Sequence, residues 1–272
     1  MKGIKVFCII LALFTAASLL FSCTFADSGL DVNSSDPTQG ALEADPDSLG
    51  DRADDPIAFS DLKYLAFGDS ITEGGNLESR SQAYPNVAGS ILGCSVTNLA
   101  VGGSTFVRDP NKPIRHCITE DVVSFCEGDG DYDIISVAGG VNDQSLSFPI
   151  GTIDDCTTET VYGSLNIIVQ TLLDRYSDAF IFLITPLKYS DQYTTSERPN
   201  RAGYDLSAVS DAIKAIGEKY DLPVLDLYST SGFETAASGM NHPDCDGWHP
   251  LKEFVSEHLA PQVADFIREN YE

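Results

Sequence analysis

Positive charge is scarce in this 272-residue chain: 16 Lys and Arg stand against 41 Asp and Glu, for a formal net charge of −25. A surface of that sign repels phosphate backbones and anionic lipid headgroups, which argues against nucleic-acid binding. No internal repeat is visible. The seven cysteines form no regular C-x-x-C framework, and long apolar runs are confined to one stretch at the N-terminus. What is present is a globular composition, with 43% hydrophobic and 21% charged residues. Once a leader and a linker are set aside, the length suits one domain with one sizeable core.

Residues Met1 to Ser22 read as an export signal: Lys2 and Lys5 make a positive start, and Val6 to Phe21 is an apolar run without charge. Leu20-Phe21-Ser22-Cys23 resembles the lipobox of bacterial lipoproteins, with Cys23 as the lipidation candidate; Phe21 departs from the small residue usual there. Cleavage after Thr24-Phe25-Ala26, or an uncleaved anchor, are the alternatives. Residues 23–57 read as a disordered linker whose nine acidic residues, with Ser, Gly and Pro, leave too little apolar surface to order it. Loss of Lys2 and Lys5 with the leader takes the net charge from −25 to −27. The expected protein is therefore exported, and it meets a membrane only through a lipid on Cys23. With Cys8 in the leader, five cysteines remain, namely Cys94, Cys117, Cys126, Cys156 and Cys245. They allow at most two bridges and read as structural.

From residue 58 to 272 short apolar runs alternate with segments of helical period. Lys63–Phe67, Ser95–Leu99, Asp133–Ala138, Ala179–Ile184 and Pro223–Leu227 have strand length and are rich in Val, Ile, Leu or Phe. Val161, Leu165, Ile168, Val169, Leu172 and Tyr176 recur at helical spacing, as do Leu206, Val209, Ile213, Ile216 and Tyr220. Near the end, Phe254, Val255 and Leu259 precede Pro261, which is expected to open a second short helix. Continuous apolar strands alternating with amphipathic helices predict an α/β fold with a parallel sheet covered on both faces. Ligands bind such sheets outside the carboxyl ends of the strands, so the segments after each strand should carry the chemistry.

Those segments hold the parts that acyl transfer through a serine requires. Ser70 lies in Gly68-Asp69-Ser70, between a strand and a predicted helix whose N-terminus favours a developing anion. His249 is the candidate general base, and Asp246, three residues earlier, the group that fixes its ring. The Ser70 and Gly102 N–H groups and the Asn142 amide are candidate oxyanion donors. No G-x-S-x-G turn occurs, which argues against the ordinary α/β-hydrolase fold. Asp69 is read as ordering the nucleophile turn and Asp143 as a structural cap on the segment that follows it. Asp244 competes with Asp246 as the histidine partner, and Ser104 is a weaker nucleophile candidate. His242, Asp244, Cys245, Asp246 and His249 are metal-ligating types in one turn, but Pro243 intervenes and no matching cluster occurs elsewhere.

Gly68-Asp69-Ser70, Gly102, Gly140-Val141-Asn142-Asp143 and Asp246-x-x-His249 resemble, in order, the four signature blocks of the SGNH or GDSL-type hydrolases. The resemblance spans about residues 60–270. It implies a flavodoxin-like three-layer α/β/α fold with strand order 2-1-3-4-5, Ser70 as nucleophile, Asp246 and His249 completing a triad, Gly102 and Asn142 as oxyanion donors, and neither metal nor cofactor. The family includes esterases, lipases, thioesterases and carbohydrate deacetylases. Substrate class is therefore sought in segments 104–120, 144–160 and 186–204. The last mixes Lys188, Tyr189, Tyr193, Arg198, Arg201 and Tyr204, which suits a polar acyl acceptor better than a long acyl chain. Trp248, the sole Trp, reads equally as a sugar platform or as packing against the sheet edge. The expected activity is hydrolysis of small acyl esters, acetyl above all, on a small molecule or glycan. The alternatives are a lysophospholipase or thioesterase for longer chains and a glycan-binding module without turnover.

Overall fold

The computed structural model describes residues 58–271. The leader, Cys23 and the acidic segment up to residue 57 lie outside the described residues.

Five parallel strands carry the fold: β1 (Lys63–Phe67), β2 (Ser95–Asn98), β3 (Ile134–Ala138), β4 (Phe180–Ile184) and β5 (Val224–Leu225), in the order β2-β1-β3-β4-β5. Pairing runs from Tyr64 against both Val96 and Ile134 to Ile184 against Leu225. Alternation along each central strand divides the core into two halves. Leu65, Phe67, Ile135, Val137, Ile181 and Leu183 enter one face, while Tyr64, Ala66, Ile134, Ala138, Phe182 and Ile184 enter the other. Apart from Ser136, whose hydroxyl meets the Tyr64 hydroxyl at 2.8 Å, both sides of the central strands are apolar, as a parallel sheet between two helical layers requires. The three-layer α/β/α arrangement and its strand order are those expected from the sequence.

In chain order the helices are α1 (Ser70–Glu73), α2 (Tyr84–Leu92), α3 (Ile118–Cys126), α4 (Val141–Leu146), α5 (Val161–Arg175), α6 (Leu206–Tyr220), α7 (Leu227–Thr230), α8 (Lys252–Phe254) and α9 (Ala260–Asn270). α3, α5 and α6 cover the first face through Ile118, Val122, Leu165, Ile168, Val209 and Ile213. The second is covered by α2 and the C-terminal helix, through Tyr84, Ala88, Phe254, Leu259, Val263 and Ile267. Among the described residues no helix is long and apolar enough to cross a membrane.

Two local expectations change, and one helix that the sequence pattern did not show is added. β5 stops at Leu225, because it is an edge strand pairing only with β4 and Asp226 caps α7, its side chain accepting from Ser229 N–H. Pro261 does not open a separate helix: α8 runs into α9 through a π-helical turn, Val255–Leu259, with no extended residue between them. There the Ala260 N–H bonds back to the Val255 carbonyl, an i→i+5 arrangement that carries the helix up to a proline lacking an N–H of its own. α2 contains Pro85 and Gly89, which weaken its helical pattern in sequence. Pro85 sits in the first turn, where no N–H is needed, and a Cβ on Gly89 would lie 2.1 Å from Val96 Cγ2, so that glycine lets α2 approach β2.

Candidate active site

The turn after β1 is set by Asp69. Its side chain, almost fully buried, accepts the Ile71 N–H at 3.0 Å and so caps α1. Burial raises its carboxyl pKa to about 6, although the Ile71 N–H and the His249 charge pull the other way. α1 is a single turn, closed by Gly74 at φ 96°. What it offers an anion beside Ser70 is therefore unpaired first-turn N–H groups, Ser70's own included, rather than a summed helix dipole. Gly68 must lack a side chain, since a Cβ there would meet Thr72 Oγ1 at 2.3 Å.

The turn after β5 and α7 brings His249 to this point. Ser70 Oγ lies 2.9 Å from His249 Nε2 and His249 Nδ1 lies 2.7 Å from Asp246 Oδ2. Asp246 Oδ1 accepts the Trp248 and His249 N–H groups, both at 2.8 Å. Burial raises the Asp246 pKa, but the His249 backbone, the His249 ring and the Trp248 N–H outweigh it and hold the carboxyl at about 2. An ionised carboxylate only accepts, so Nδ1 carries the proton and the Nε2 lone pair faces the serine. Asp244 does not take this place; its N–H bonds to His242 Nδ1 at 3.2 Å and its side chain is exposed. Among the described residues no group of three or more His, Cys, Asp or Glu is placed to hold a metal ion.

Two residues of the site escaped the sequence reading. Asn76, at φ 66°, donates from Nδ2 to Asp246 Oδ2 at 2.6 Å across 170 residues of sequence. Gly75 lies against the imidazole: a Cβ there would come within 2.8 Å of His249 Cδ2 and 3.2 Å of Nε2. Both follow directly on Gly68-Asp69-Ser70-Ile71-Thr72-Glu73-Gly74, and that adjacency was the available signal.

The candidate oxyanion donors differ in readiness. The loop carrying Gly102 is tied to the nucleophile turn by Val101 N–H donating to the Gly68 carbonyl at 3.1 Å. A Cβ on Gly102 would stand 3.7 Å from Ser70 Cβ. The Gly102 N–H itself is donated to Glu73 Oε2 at 2.8 Å, while Glu73 Oε1 accepts from Arg80 at 2.6 Å. Gly102 is thus not an open donor in this arrangement: an oxyanion would have to displace the Glu73 carboxylate to use it. Asn142 donates one Nδ2 hydrogen to the Ser104 carbonyl at 2.9 Å and keeps the other. Ser104 is fully buried, which removes it as a nucleophile. Asp143, also fully buried, accepts the Phe106 and Val107 N–H groups at 3.0 and 2.9 Å. It holds the loop before α3 and does not cap its own helix; burial lifts its pKa to about 7.

Of the aromatic and basic residues after β4, several are committed to structure. Lys188 pairs with Glu234 at 3.4 Å, and the Tyr204 hydroxyl donates to the Phe148 carbonyl. Trp248 stacks on Tyr189 with ring centroids 3.8 Å apart and donates Nε1–H to Asp191 at 2.7 Å, so packing claims one of its faces. It also borders a cleft of about 650 Å³ shared with Tyr193, Met240 and Asp246. Cys94, Cys117, Cys126 and Cys245 are thiols, and the Cys245 Sγ donates to the His249 carbonyl at 3.3 Å.

A family model described as GDSL-like lipase/acylhydrolase matches residues 66–253. No curated protein matches the sequence. Solved structures that resemble it include a possible lipase from Chitinophaga pinensis, 24% identical, with a TM-score of 0.59 over 77% of this chain and 98% of that one. An aryl esterase from M. smegmatis is 17% identical, TM-score 0.58, over 76% and 99%. A carbohydrate acetylesterase family member from Sinorhizobium meliloti is 16% identical, TM-score 0.55, over 76% and 98%. At these identities the likeness is one of fold.

Proposed function

The chain belongs to the GDSL-like lipase/acylhydrolase family, and from that premise we propose that it is a serine esterase which removes small acyl groups, acetyl foremost, from carbohydrate hydroxyls. The observation that carries the reading is the unbroken relay from Ser70 Oγ through His249 to Asp246, at 2.9 and 2.7 Å, at the carboxyl end of the sheet. In the first half-reaction Ser70 Oγ attacks the ester carbonyl as its proton passes to His249 Nε2. The Ser70 N–H and the remaining Asn142 Nδ2 hydrogen meet the developing oxyanion, joined by Gly102 N–H where Glu73 gives way. His249 then protonates the leaving alkoxide, leaving an acyl-serine. Water attacks this intermediate, with His249 taking its proton, and releases the acid and free Ser70. Asp246, ionised throughout, keeps the imidazole in register and balances its transient positive charge.

The acyl preference rests on the surroundings. The cleft at Asp246 and the one behind Tyr189 are lined mainly by Ser, Gln, Asn, Asp, Arg and Tyr, with Leu146, Pro199, Met240 and Trp248 interspersed, whereas a long acyl chain needs a continuous apolar groove. A carbohydrate acetylesterase among the structures of like fold is in keeping with this. The reading extends to location, with the charged, apolar leader and Leu20–Cys23 supporting export and a lipid anchor on Cys23.

The test is hydrolysis of nitrophenyl esters from acetyl to long acyl, by the protein and by Ser70→Ala. We expect the acetyl ester to be the best substrate, and Ser70→Ala to lose on the order of 10⁴ to 10⁶ in kcat while its thermal midpoint stays near the parent value. A preference for long chains would overturn the acetyl assignment, and activity retained in Ser70→Ala would overturn the nucleophile.

A further inference from the structure

The molecule's acidity makes one place on it unusual. Between α4 and the loop of residues 194–201 lies a cleft of about 470 Å³. Arg198 and Arg201 line it together with Gln144, Tyr189, Thr194 and Asn200, and none of its lining residues is acidic. This occurs in a chain where Asp and Glu outnumber Lys and Arg by 41 to 16. A surface so rich in carboxylates would ordinarily neutralise two arginines lining one cleft. Here, among the described residues, the Arg198 side chain donates only to the Tyr193 carbonyl, at 3.3 Å, and Arg201 contributes only its backbone N–H, to Ser147 Oγ at 3.1 Å.

The walls are held in place. Gln144, 2% exposed, accepts from the Tyr189 hydroxyl at 2.6 Å, donates to the Arg198 carbonyl at 3.2 Å, and receives Asn200 Nδ2 on its own carbonyl at 2.8 Å. The backbone that presents both arginines is therefore fixed by a buried amide. The cleft is linked to the relay through two elements: Tyr189 in its wall stacks on Trp248, the residue before His249, and α4, whose C-terminal half lines the cleft, bears Asn142 in its first turn.

We propose that this cleft is an acceptor subsite for an anionic group, so that the preferred substrates are acyl esters whose alcohol half is an acidic sugar. The ester carbonyl sits at Ser70 while a carboxylate or phosphate on the sugar is taken by Arg198 and Arg201, whose forked donors suit either group. Local positive charge has a purpose here, because the field of the whole molecule repels such a ligand. The inference rests on the esterase reading for the position of the ester, but the subsite can be tested without turnover.

Trp248 is the only tryptophan and stacks on the cleft wall, so it reports binding there. Methyl glucuronoside, glucose 6-phosphate and methyl glucoside are titrated into Ser70→Ala, followed by Trp248 fluorescence and calorimetry. We expect at least one of the two acids to bind about tenfold or more tightly than the neutral sugar, a preference that falls as salt is raised. Which acid binds better distinguishes a carboxylate from a phosphate source. Adding Arg198→Gln and Arg201→Gln should abolish the preference while the thermal midpoint holds. Equal binding of acidic and neutral sugars, no binding of either acid, or a preference that survives the double substitution would each overturn the subsite. Loss of the esterase reading would show instead in the nitrophenyl acetate assay, which involves no sugar.

Discussion

Asn76 illustrates how much of the site depends on a single side chain. It holds the Asp246 oxygen that also meets the imidazole, so that carboxylate is oriented from both sides. Replacing the amide by a carboxylate would turn a donor into a second negative charge beside the Asp246–His249 pair. Negative charge stabilises the imidazolium, so we expect Asn76→Asp to move the acidic limb of the kcat/KM profile to higher pH and to lower kcat, while KM for a small nitrophenyl ester changes little. A merely structural role would lower activity without moving the limb. Asp246 itself, held at about 2, adds no limb between pH 4 and 8. We expect Asp246→Asn to be milder than His249→Ala, because the acid orients the ring and does not itself carry the proton.

At the level of elements, α1 and the turn after it do most of the positioning. A four-residue helix has little stability of its own; it is kept by the Asp69 cap at one end and Gly74 at φ 96° at the other. The chain then doubles back, with Gly75 N–H and Gly74 N–H both donating to the Ser70 carbonyl. That tight return presses Gly75 against the histidine. In Gly75→Ala the new methyl would sit 2.8 Å from His249 Cδ2 and 3.1 Å from the Ser70 carbonyl, so the ring must shift. We expect kcat to fall by about 10²-fold or more, the loss that a misplacement near 1 Å brings, with a thermal midpoint near the parent value. Full activity in this variant would show that His249 has room to adjust. The π-helical turn before Pro261 acts at the same scale, joining α8 to α9 into one continuous helix that covers the second face of the sheet beside α2.

For the molecule as a whole, two buried carboxyls link folding to pH. Asp69 and Asp143 have folded pKa values of about 6 and about 7, above the ordinary 3.8. The folded state therefore binds protons that the unfolded state has released, and stability falls as pH rises through that interval. Their contribution is fully present below about pH 4 and lost by about pH 7 to 8. Deprotonation of a chain already at −25 adds repulsion of the same sign, so the parent slope alone does not separate the two causes. Asp143→Asn does. It should lower the thermal midpoint at pH 5, since one of the Phe106 and Val107 N–H groups loses its acceptor. It should also make the decline from pH 5 to 8 shallower than in the parent, whereas parallel curves would remove Asp143 as a source of the slope.

The sequence by itself determined the strands, their alternation with helices, and the placing of Ser70, Gly102, Asn142 and His249 after the strands. These follow from local signals: apolar runs of strand length, helical spacing, and turn residues at strand ends. α2 was hidden because its Pro85 and Gly89 answer to the first-turn position and to contact with Val96 rather than to helical propensity. Tertiary structure alone decided that Asp246 and not Asp244 reaches the imidazole, that Asn76 supports it from 170 residues away, and that Gly102 N–H goes to Glu73. It also decided that Arg198 and Arg201 share a cleft free of carboxylates. Each of these depends on the direction of a side chain or N–H group at the end of a loop. Such directions are set by sheet register and by backbone turns such as Gly247 at φ 82°, neither of which any periodicity in the chain encodes.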